Sequence, residues 1–452
     1  MLDRDGIIAA ARAAGVVGAR NGMPTHTRLA ESAEIVIANA CECEPLVYSD
    51  RHLIFNHAAD IIAGLDLAMT ATGARRGIIA YVEDDPDLDA IIRREIAEHP
   101  GIEVFQAPDF YPVSESHTLT YEATGRVAPN SAATEAVGVS VFNVETLHNL
   151  SLAARGGPVT HRTLTVAGEV VRPTVTRMPL GARIEDAIAR AGGAAVKSFR
   201  VLLGGPVSGY VEDDISAPIT KVTPAVLVLP TQHVQVQKRV RSLAVMLLRA
   251  RSACFQCRDC TDHCTRYLLG QEIEPHKIMR AICHSVDNLS TSITSAVNCA
   301  ECGVCDSFVC KMGISPKLIC RHIKSHLQAM GWQIRPETNP PSPRHDYAAG
   351  HISVADLIAR LRITEYVAAI DLPGILHAQT GPDLLPPRSL AVPLLQHIGS
   401  PALPAVRKGD SVSPGQVIGE IPEGKLGARI HTALGGTVAT IGQEIRINGN
   451  AG

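Results

Sequence analysis

The sequence predicts a multidomain protein of the α/β class, and three regional patterns lead to that prediction. The first third alternates apolar strand-like runs with helical stretches, and a β-rich region with one helix follows. Next comes a helical region that holds most of the cysteines. In the last region, glycine-containing turns separate short apolar runs. Alternating strands and helices favour a sheet with helices packed against it. With 452 residues the chain is long enough for about two to four domains.

The first predicted domain, residues 1–157, is the α/β unit. Its apolar strand AEIVIANA is typical of a buried parallel strand. In sheets of this kind ligands bind at the loops that leave the carboxyl ends of the strands. The predicted elements, in chain order, are a helix over 5–14, a strand over 33–40, a helix over 51–72, a strand over 77–82, a helix over 88–98 and a strand over 102–107.

Residues 158–234 form a predicted β-grasp-like module, because short strands flank one amphipathic helix, RIEDAIARAGG, that ends at paired glycines. A helical domain over 235–334 holds both cysteine groups and is followed by a proline-rich linker and helix over 335–384. The remaining residues, 385–452, predict a small β-barrel or sandwich, since turn residues separate short valine and isoleucine runs.

Two cysteine groups in the helical domain predict iron–sulfur chemistry. Their spacings are C-x2-C-x2-C-x3-C and C-x2-C-x2-C-x4-C, and two-cluster bacterial ferredoxins use such runs, with the fourth cysteine of each run binding the other cluster. The spacing therefore predicts two 4Fe–4S clusters. Their ligands are Cys254, Cys257, Cys260 and Cys310 for cluster I, and Cys299, Cys302, Cys305 and Cys264 for cluster II.

Two alternatives explain the cysteines less well. Structural zinc sites normally use two C-x2-C pairs per metal and need no third cysteine at the same interval. A disulfide framework needs an oxidising compartment, and the sequence does not begin with a pattern typical of a signal peptide. Cys283 and Cys320 lie in apolar helical stretches, which favours buried free thiols over ligands.

Charge and hydropathy narrow the function classes. A formal charge of −3 gives no basic footprint for nucleic acid. The apolar runs are too short to predict a transmembrane segment, for which about 18 residues are needed. Together with the reduced thiols, these features predict a cytoplasmic protein.

The order of motifs resembles that of the RnfC family, and in particular its PduS-type cobalamin reductase branch. The resemblance rests on the segments GVVGARNGMPTHTRL, IANACECEPL, LTYEATGR and VGVSVFNVETLHN, on the cysteine runs and on GQVIGEIPEGKLGARIHTALGGTV, and it covers essentially the whole chain. It implies a flavin domain like that of the NADH-oxidising subunit of respiratory complex I, an SLBB β-grasp module, a two-cluster ferredoxin domain and a C-terminal barrel-sandwich hybrid.

The resemblance also implies an oxidoreductase that passes electrons from NADH through FMN and two 4Fe–4S clusters to a corrinoid. The residues that match the FMN and NADH site of the family are Gly18, Gly22, Arg28, Asn39, Glu42, Glu44, Asn143 and Thr146. The glycine-rich loop is one residue shorter than the family pattern, with Arg20 and Asn21 among its departures, and these side chains are expected to occupy space that the ligand needs. No individual catalytic residue is identified.

Partners and location follow from the same resemblance. The implied donor is NADH or a reduced protein, the implied acceptor is a corrinoid or a corrinoid adenosyltransferase, and shell proteins of a bacterial microcompartment are further partners. The expected location is the cytoplasm, inside such a microcompartment. Two other functions stay open: a flavin-less iron–sulfur relay between proteins, and an RnfC-type subunit of an ion-translocating electron transport complex.

Overall fold

A parallel four-stranded sheet of order β3-β2-β1-β4 forms the centre of the first domain in the computed structural model, which describes residues 2–82, 86–283, 290–377 and 387–449. All residues of β1 and β4 are buried, as an apolar run flanked on both faces by other elements requires. The strands are β1 (Ile35–Asn39), β2 (Arg76–Val82), β3 (Ile102–Ala107) and β4 (Val139–Asn143). The helices are α1 (Arg4–Ala14), α2 (Thr25–Leu29), α3 (Ser49–Thr72), α4 (Pro86–Ile96), α5 (Ser116–Thr124) and α6 (Val144–Ala154).

The carboxyl ends of the two central strands lie side by side. Asn39 is the register partner of Asn143, so two polar residues end adjacent strands at one edge of the sheet. Asn143 is also the N-cap of α6, and its side-chain oxygen accepts a hydrogen bond from Glu145 N at 3.0 Å. The fold therefore brings the predicted polar loops to one edge.

Helix α3 is the longest helix in the described part of the chain. Over its 24 residues it is long and apolar enough, by length and composition, to cross a membrane. Its buried side chains, among them Ile54, Ile61 and Leu65, belong to the core of the first domain. This packing is that of a core helix in a folded domain.

The β-grasp module contains one five-stranded sheet of order β6-β5-β9-β7-β8. Helix α7 (Ile184–Arg190) packs on it and is followed by Gly192 and Gly193, both with positive φ. The strands are β5 (His161–Gly168), β6 (Thr174–Pro179), β7 (Phe199–Leu203), β8 (Tyr210–Glu212) and β9 (Ala225–Pro230).

The cysteine-bearing region is helical, and its core contains the apolar residues of several short helices together with Cys320, while four partly buried cysteines pack against it. A 3₁₀ turn over Ser295–Asn298 and a π-helical turn over Cys305–Val309 interrupt the pattern. The α-helices are α8 (Val234–Arg239), α9 (Leu243–Ala253), α10 (Asp259–Asp262), α11 (Thr265–Leu268), α12 (Pro275–Cys283), α13 (Thr291–Thr294) and α14 (Pro316–Ala329).

The predicted linker contains more structure than its composition indicates. Leu357, Leu361 and Ile363 are fully buried in the core that contains Ile35 and Phe110 of the first domain. This packing depends on long-range contacts that a proline-rich composition does not reveal. The helices are α15 (Val354–Leu361), α16 (Thr364–Ala368) and α17 (Leu372–Leu376), and the predicted boundary at 384/385 lies outside the described residues.

The C-terminal region consists of two small sheets, of order β10-β16-β15-β12 and β11-β13-β14. Its apolar residues share one core with the β-grasp module, where Leu390 and Val392 are buried together with Val166 and Val226. The strands are β10 (Ser389–Pro393), β11 (Leu403–Pro404), β12 (Ser411–Val412), β13 (Val417–Glu420), β14 (Ile430–His431), β15 (Gly436–Ile441) and β16 (Glu444–Gly449).

Gly64 provides a test of the packing between α3 and α6. A Cβ atom at this position would lie 2.0 Å from the carbonyl oxygen of Leu147. Exchanging glycine for alanine inside a helix ordinarily stabilises it by up to about 1 kcal/mol, but overlap at a close helix contact costs about 1–3 kcal/mol. We expect Gly64→Ala to lower the free energy of unfolding in denaturant titrations.

Gly101→Ala is the matched control, because its added Cβ would meet its nearest neighbour, the Met69 side chain, at an ordinary 3.5 Å. A Gly64→Ala protein as stable as this control would show that the two helices are not packed as described.

Candidate iron–sulfur and flavin site

Four cysteines from two distant segments line one cavity in the helical domain. They are the predicted ligands of cluster I: Cys254, Cys257, Cys260 and Cys310. The loop between the first three contains Gln256 and Arg258 in the left-handed backbone region, with φ of 60° and 73°. Such residues turn the chain sharply, so successive thiols reach the same cavity.

The four-residue spacing before Cys310 produces a π-helical turn. Cys310 N donates to the carbonyl oxygen of Cys305 at 3.0 Å, a bond from i+5 to i. A π turn accommodates one residue more than an α turn. The extra residue of the second run is thus absorbed in the backbone, and Cys310 lies at the first cavity instead of continuing its own run.

The other four cysteines adjoin one another. Burial raises the pKa of Cys264 to about 11, and the neighbouring Cys299 adds to the shift. Burial also raises the pKa of Cys302 and Cys305. The charge of Cys264 makes the next contribution to the raised pKa of Cys302. Cys299 and Cys302 both contribute to the raised pKa of Cys305. Cys264 therefore lies near Cys299 and Cys302 of the second triplet and also near Cys260 of the first.

These two donor sets fit 4Fe–4S clusters. A cluster requires four thiolates about one space, and one cavity offers four sulfurs from two segments. Cys260, Cys264, Cys302 and Cys305 have raised pKa values and are neutral without a cation, whereas the hydrogen bond with Cys320 lowers the pKa of Cys299 to about 7. Bound iron would supply the charge that holds the ligands as thiolates. The assignment of each cysteine to its cluster remains our prediction.

The two cysteines predicted to be free lie beside the cluster sites. Cys320, on α14, is buried and hydrogen-bonded to Cys299. Cys283 donates to the carbonyl oxygen of Ala250 at 2.7 Å and adjoins Cys254. The sequence predicts the apolar surroundings of these two cysteines. It does not predict that they lie beside Cys299 and Cys254, because spacing along a helix does not encode contacts between distant segments.

A cleft of about 560 Å³ lies between the glycine-rich loop, the loop before α5 and the segment before β4. Its size lies in the range of roughly 300–1,000 Å³ that small-molecule sites occupy. Polar and charged side chains dominate its lining: Asn21, Thr27, Arg28, Glu31, Glu115, Ser116, His117, Thr134, Glu135 and Arg266, with Met23 and Ala133.

Arg266 joins this cleft to the second cluster site. It lies two residues after Cys264, and its guanidinium Nη2 donates to Glu115 Oε1 at 2.8 Å. Although burial opposes the shift, the charge of Arg266 lowers the pKa of Glu115 to about 2. Burial and then Arg266 lower the pKa of His117 to about 4. At neutral pH the cleft thus holds an ion pair and a neutral imidazole.

The glycine-rich loop is closed on itself. Gly18 N donates to Met23 O at 2.8 Å, and Gly22 N donates to Gly18 O at 2.7 Å. A Cβ at Gly18 would lie 2.1 Å from Asn21 Oδ1, so a larger residue there would displace the Asn21 side chain. Ala19 N donates to Thr146 Oγ1 at 3.0 Å. Donors that a glycine-rich loop usually offers to an anion are therefore used within the protein.

A buried carboxylate lies next to this loop. Asp50 Oδ2 accepts hydrogen bonds from Arg20 Nη2 at 2.5 Å and from Asn143 Nδ2 at 2.7 Å. Glu42 accepts from Asp50 N at 2.9 Å, and burial, followed by the charge of Asp50, raises the pKa of Glu42. Arg20 thus pairs with Asp50 and does not line this cleft, whereas Asn21 does. The expectation that both side chains occupy ligand space stays a prediction.

The remaining predicted site residues lie in different places. Arg28 lines the cleft, stacks over Phe142 at 4.7 Å and pairs with Glu135 at 2.5 Å. Asn39 Nδ2 donates to Ser114 O at 2.9 Å. Gly22 faces the C-terminal region, where its carbonyl oxygen accepts from Ile398 N at 2.8 Å.

Glu44 contacts the β-grasp module instead of the cleft. Its Oε1 accepts from Val207 N at 2.6 Å and Ser208 N at 3.1 Å, and its Oε2 accepts from the Tyr111 hydroxyl at 3.0 Å. Sequence reasoning missed Asp50, Arg266 and Glu135. Arg266 carried a signal, since it follows a predicted cluster ligand by two residues.

Fold and site together define an iron–sulfur protein with a flavin-type domain, and domain families match the chain in the predicted order. Residues 11–152 match the Nuo51 FMN-binding domain, 163–211 the SLBB domain, 253–315 the 4Fe-4S dicluster domain and 380–451 the RnfC barrel sandwich hybrid domain. The predicted fold class and the two cofactor domains are confirmed.

Similar proteins identify the family. The chain is 37% identical over 450 residues to the cobalamin reductase PduS of Salmonella typhimurium, and the match covers 98% of this chain and 96% of that protein. It is 37% identical over 436 residues to PduS of Citrobacter freundii, with 96% and 94% covered. A component of the Na⁺-translocating ferredoxin:NAD⁺ oxidoreductase complex of Acetobacterium woodii is 27% identical over 274 residues, 59% of either chain. The chain belongs to the PduS-type cobalamin reductases of the RnfC family.

The ligand assignment predicts the iron content of single variants. Two cubanes require about eight iron and eight sulfide per chain after anaerobic reconstitution, and Cys310→Ser or Cys264→Ser should each lose one cluster, leaving about four iron. Cys283→Ser and Cys320→Ser are the matched controls and should keep the full content. Iron and sulfide assays with metal analysis measure this; stoichiometric zinc, or a cluster lost from either control, would contradict the ligand set.

Proposed function

We propose that the protein is an oxidoreductase that delivers single electrons through two 4Fe–4S clusters to a corrinoid, as a cobalamin reductase. The observation that carries the proposal is the adjacency of the cleft and the cluster sites: Arg266 pairs with Glu115 in the cleft and lies two residues from Cys264. The family membership, established over nearly the whole chain, supports the same activity.

FMN fits the cleft by position and size. Bound there, it would supply hydride acceptance from NADH and one-electron release to the clusters. Arg28 and Arg266 are the cationic residues that would attract its anionic end, and Asn21 borders the space for its ring. These arginines now pair with Glu135 and Glu115, so bound FMN would compete with the two carboxylates for the guanidinium groups.

The residues beside the glycine-rich loop weaken the grip on a phosphate. Its backbone donors are engaged, and the Asp50 carboxylate already accepts hydrogen bonds from Arg20 and Asn143. A second anion beside this carboxylate would be repelled. We therefore propose retained but weak FMN binding and impaired use of NADH.

The partners and the location belong to this proposal too. A corrinoid, or an adenosyltransferase that holds one, is the proposed acceptor. NADH or a reduced protein is the proposed donor. The relatives named PduS support a place in the cytoplasm with microcompartment shell proteins nearby.

A flavin-less relay is the second candidate, and the closed glycine-rich loop favours it. Such a relay would transfer electrons between proteins through the clusters and would not oxidise NADH.

Anaerobic assays of reconstituted protein separate the two functions. With FMN and NADH present, we expect cobalamin reduction that Cys310→Ser abolishes, because the electron path then lacks one cluster. The visible spectrum of the same sample reports bleaching of the flavin band. A protein with both clusters that takes up no flavin and leaves cobalamin oxidised under NADH would exclude the first function in favour of the relay.

FMN affinity tests the roles given to Arg20 and Asn21. Asn21→Gly removes a side chain from the cleft and should tighten FMN binding by about tenfold, or about 1.4 kcal/mol. Arg20→Gly removes the cationic partner of Asp50, so it should lower the melting temperature without improving affinity. Quenching of flavin fluorescence measures the FMN affinity, and calorimetry measures the melting temperature. Tighter FMN binding by Arg20→Gly but not by Asn21→Gly would reverse the roles given to these residues.

A further inference from the structure

A small apolar surface lies directly over the first cluster site. Leu248, Phe255 and Met312 are 65%, 61% and 36% exposed, and we call these three residues the cluster-side patch. Phe255 and Met312 line the cavity of the predicted cluster I ligands. Arg249, next to Leu248 on α9, donates from Nη1 to Met312 O at 2.8 Å. Phe255 and Met312 thus line one cavity, and the Arg249 hydrogen bond places helix α9, which bears Leu248, beside Met312.

A cluster ligand reaches the surface at this patch. Cys257 is exposed, whereas Cys264 and the other predicted ligands are less so. A redox centre close to the surface is open to exchange with a partner that docks over it. A single exposed leucine is ordinary on a protein surface, but apolar side chains grouped beside an exposed ligand of a redox centre mark an interaction surface.

Basic residues surround the patch. Arg241 and Arg249 donate to the carbonyl oxygens of Gly313 and Met312, at 3.4 Å and 2.8 Å, so these bonds leave their charge unneutralised. Lys311 is 71% exposed and 3.8 Å from Asp259, and Arg258 pairs with Asp262 at 3.0 Å. Four cations and two acids thus adjoin the patch of a chain whose formal charge is −3.

We propose that the cluster-side patch docks a small acidic protein that carries single electrons and reduces cluster I directly. One electron leaves the reduced carrier, which is oxidised, and the oxidised cluster gains it; no bond forms or breaks. The basic rim steers an acidic partner to the patch, and a modest apolar centre suits a transient contact. The inference rests on the proposed function only in requiring cluster I at its four cysteines.

An anionic membrane would also meet a basic, apolar surface. The carrier protein fits better, because the exposed Cys257, which lines the same cavity as Phe255 and Met312, would serve electron transfer and gives a lipid nothing to bind. The test therefore includes vesicles of phosphatidylglycerol as a competing outcome.

The test follows reduction of the clusters by stopped flow, with protein carrying both clusters and reduced flavodoxin, an acidic one-electron carrier, as the probe. We expect the second-order rate to fall with added salt. Arg249→Glu should lower it by about tenfold, since rim charges act on association rates. Leu248→Ala should lower it by about threefold, through loss of an apolar contact.

Each variant has a matched control in the C-terminal region. Arg407→Glu makes the same charge change at an exposed site, and Leu403→Ala truncates a leucine that is 58% exposed. Both controls should react at the wild-type rate, and all four proteins should keep wild-type iron content and reduction by dithionite. Equal rates for variants and controls, a rate that salt leaves unchanged, or vesicle binding lost by the patch variants while carrier reduction is intact would each overturn the proposal.

Failure of the proposed function is distinguishable from failure of this surface. Under the proposed function NADH acts at the cleft and not at the patch, so Arg249→Glu and Leu248→Ala should keep any NADH-dependent cobalamin reduction. If wild-type protein reduces no cobalamin with either donor yet is reduced by flavodoxin through the patch, the cobalamin reductase function fails and the docking surface stands.

Discussion

Convergence of cysteine thiols from distant segments is the constraint on which the rest of this structure depends. Burial raises the pKa of Cys260, Cys302 and Cys305 and so favours their protonated forms. Bound iron would stabilise the thiolate forms and tie the distant segments together. Metal binding and the packing of the helical domain are therefore coupled.

The other domains are arranged around this centre by a few buried polar contacts. The Tyr111 hydroxyl lies 3.0 Å from Glu44 Oε2 and 2.6 Å from the carbonyl oxygen of Cys302, while Glu44 caps the β-grasp loop at Val207. First domain, β-grasp module and cluster domain thus meet at one buried carboxylate. Removing one partner of such a group would leave the others without a hydrogen bond, which is costly in a buried place. These contacts therefore help to hold the three domains, and with them the cleft and the clusters, in one arrangement.

The sequence was most informative where chemistry depends on local spacing. The cysteine runs, the strand over 102–107 and the glycines after α7 follow from neighbours along the chain. It was least informative about contacts between distant segments: the pairing of Arg20 with Asp50, the position of Cys320 beside Cys299, and the burial of Leu357 against the first domain. The contacts of Glu44 with the β-grasp module are of the same kind, since a matching motif does not show which way its carboxylate points.

We propose two separate routes by which electrons reach the clusters. The cleft lies on the side of Cys264, at Arg266, whereas the cluster-side patch lies on the side of Cys257. Because backbone donors of the glycine-rich loop are hydrogen-bonded within the protein, we propose that electron entry through the cleft is weakened. Electron entry at the cluster-side patch of the helical domain then matters more.

Electron paramagnetic resonance of the dithionite-reduced, reconstituted protein tests the central claim most directly, because crossed ligation requires two clusters close together. We expect two spins per chain, as two cubanes require, with a spectrum broadened by the interaction between them. A single isolated spin, two spins without interaction, or a silent protein containing zinc would contradict crossed ligation.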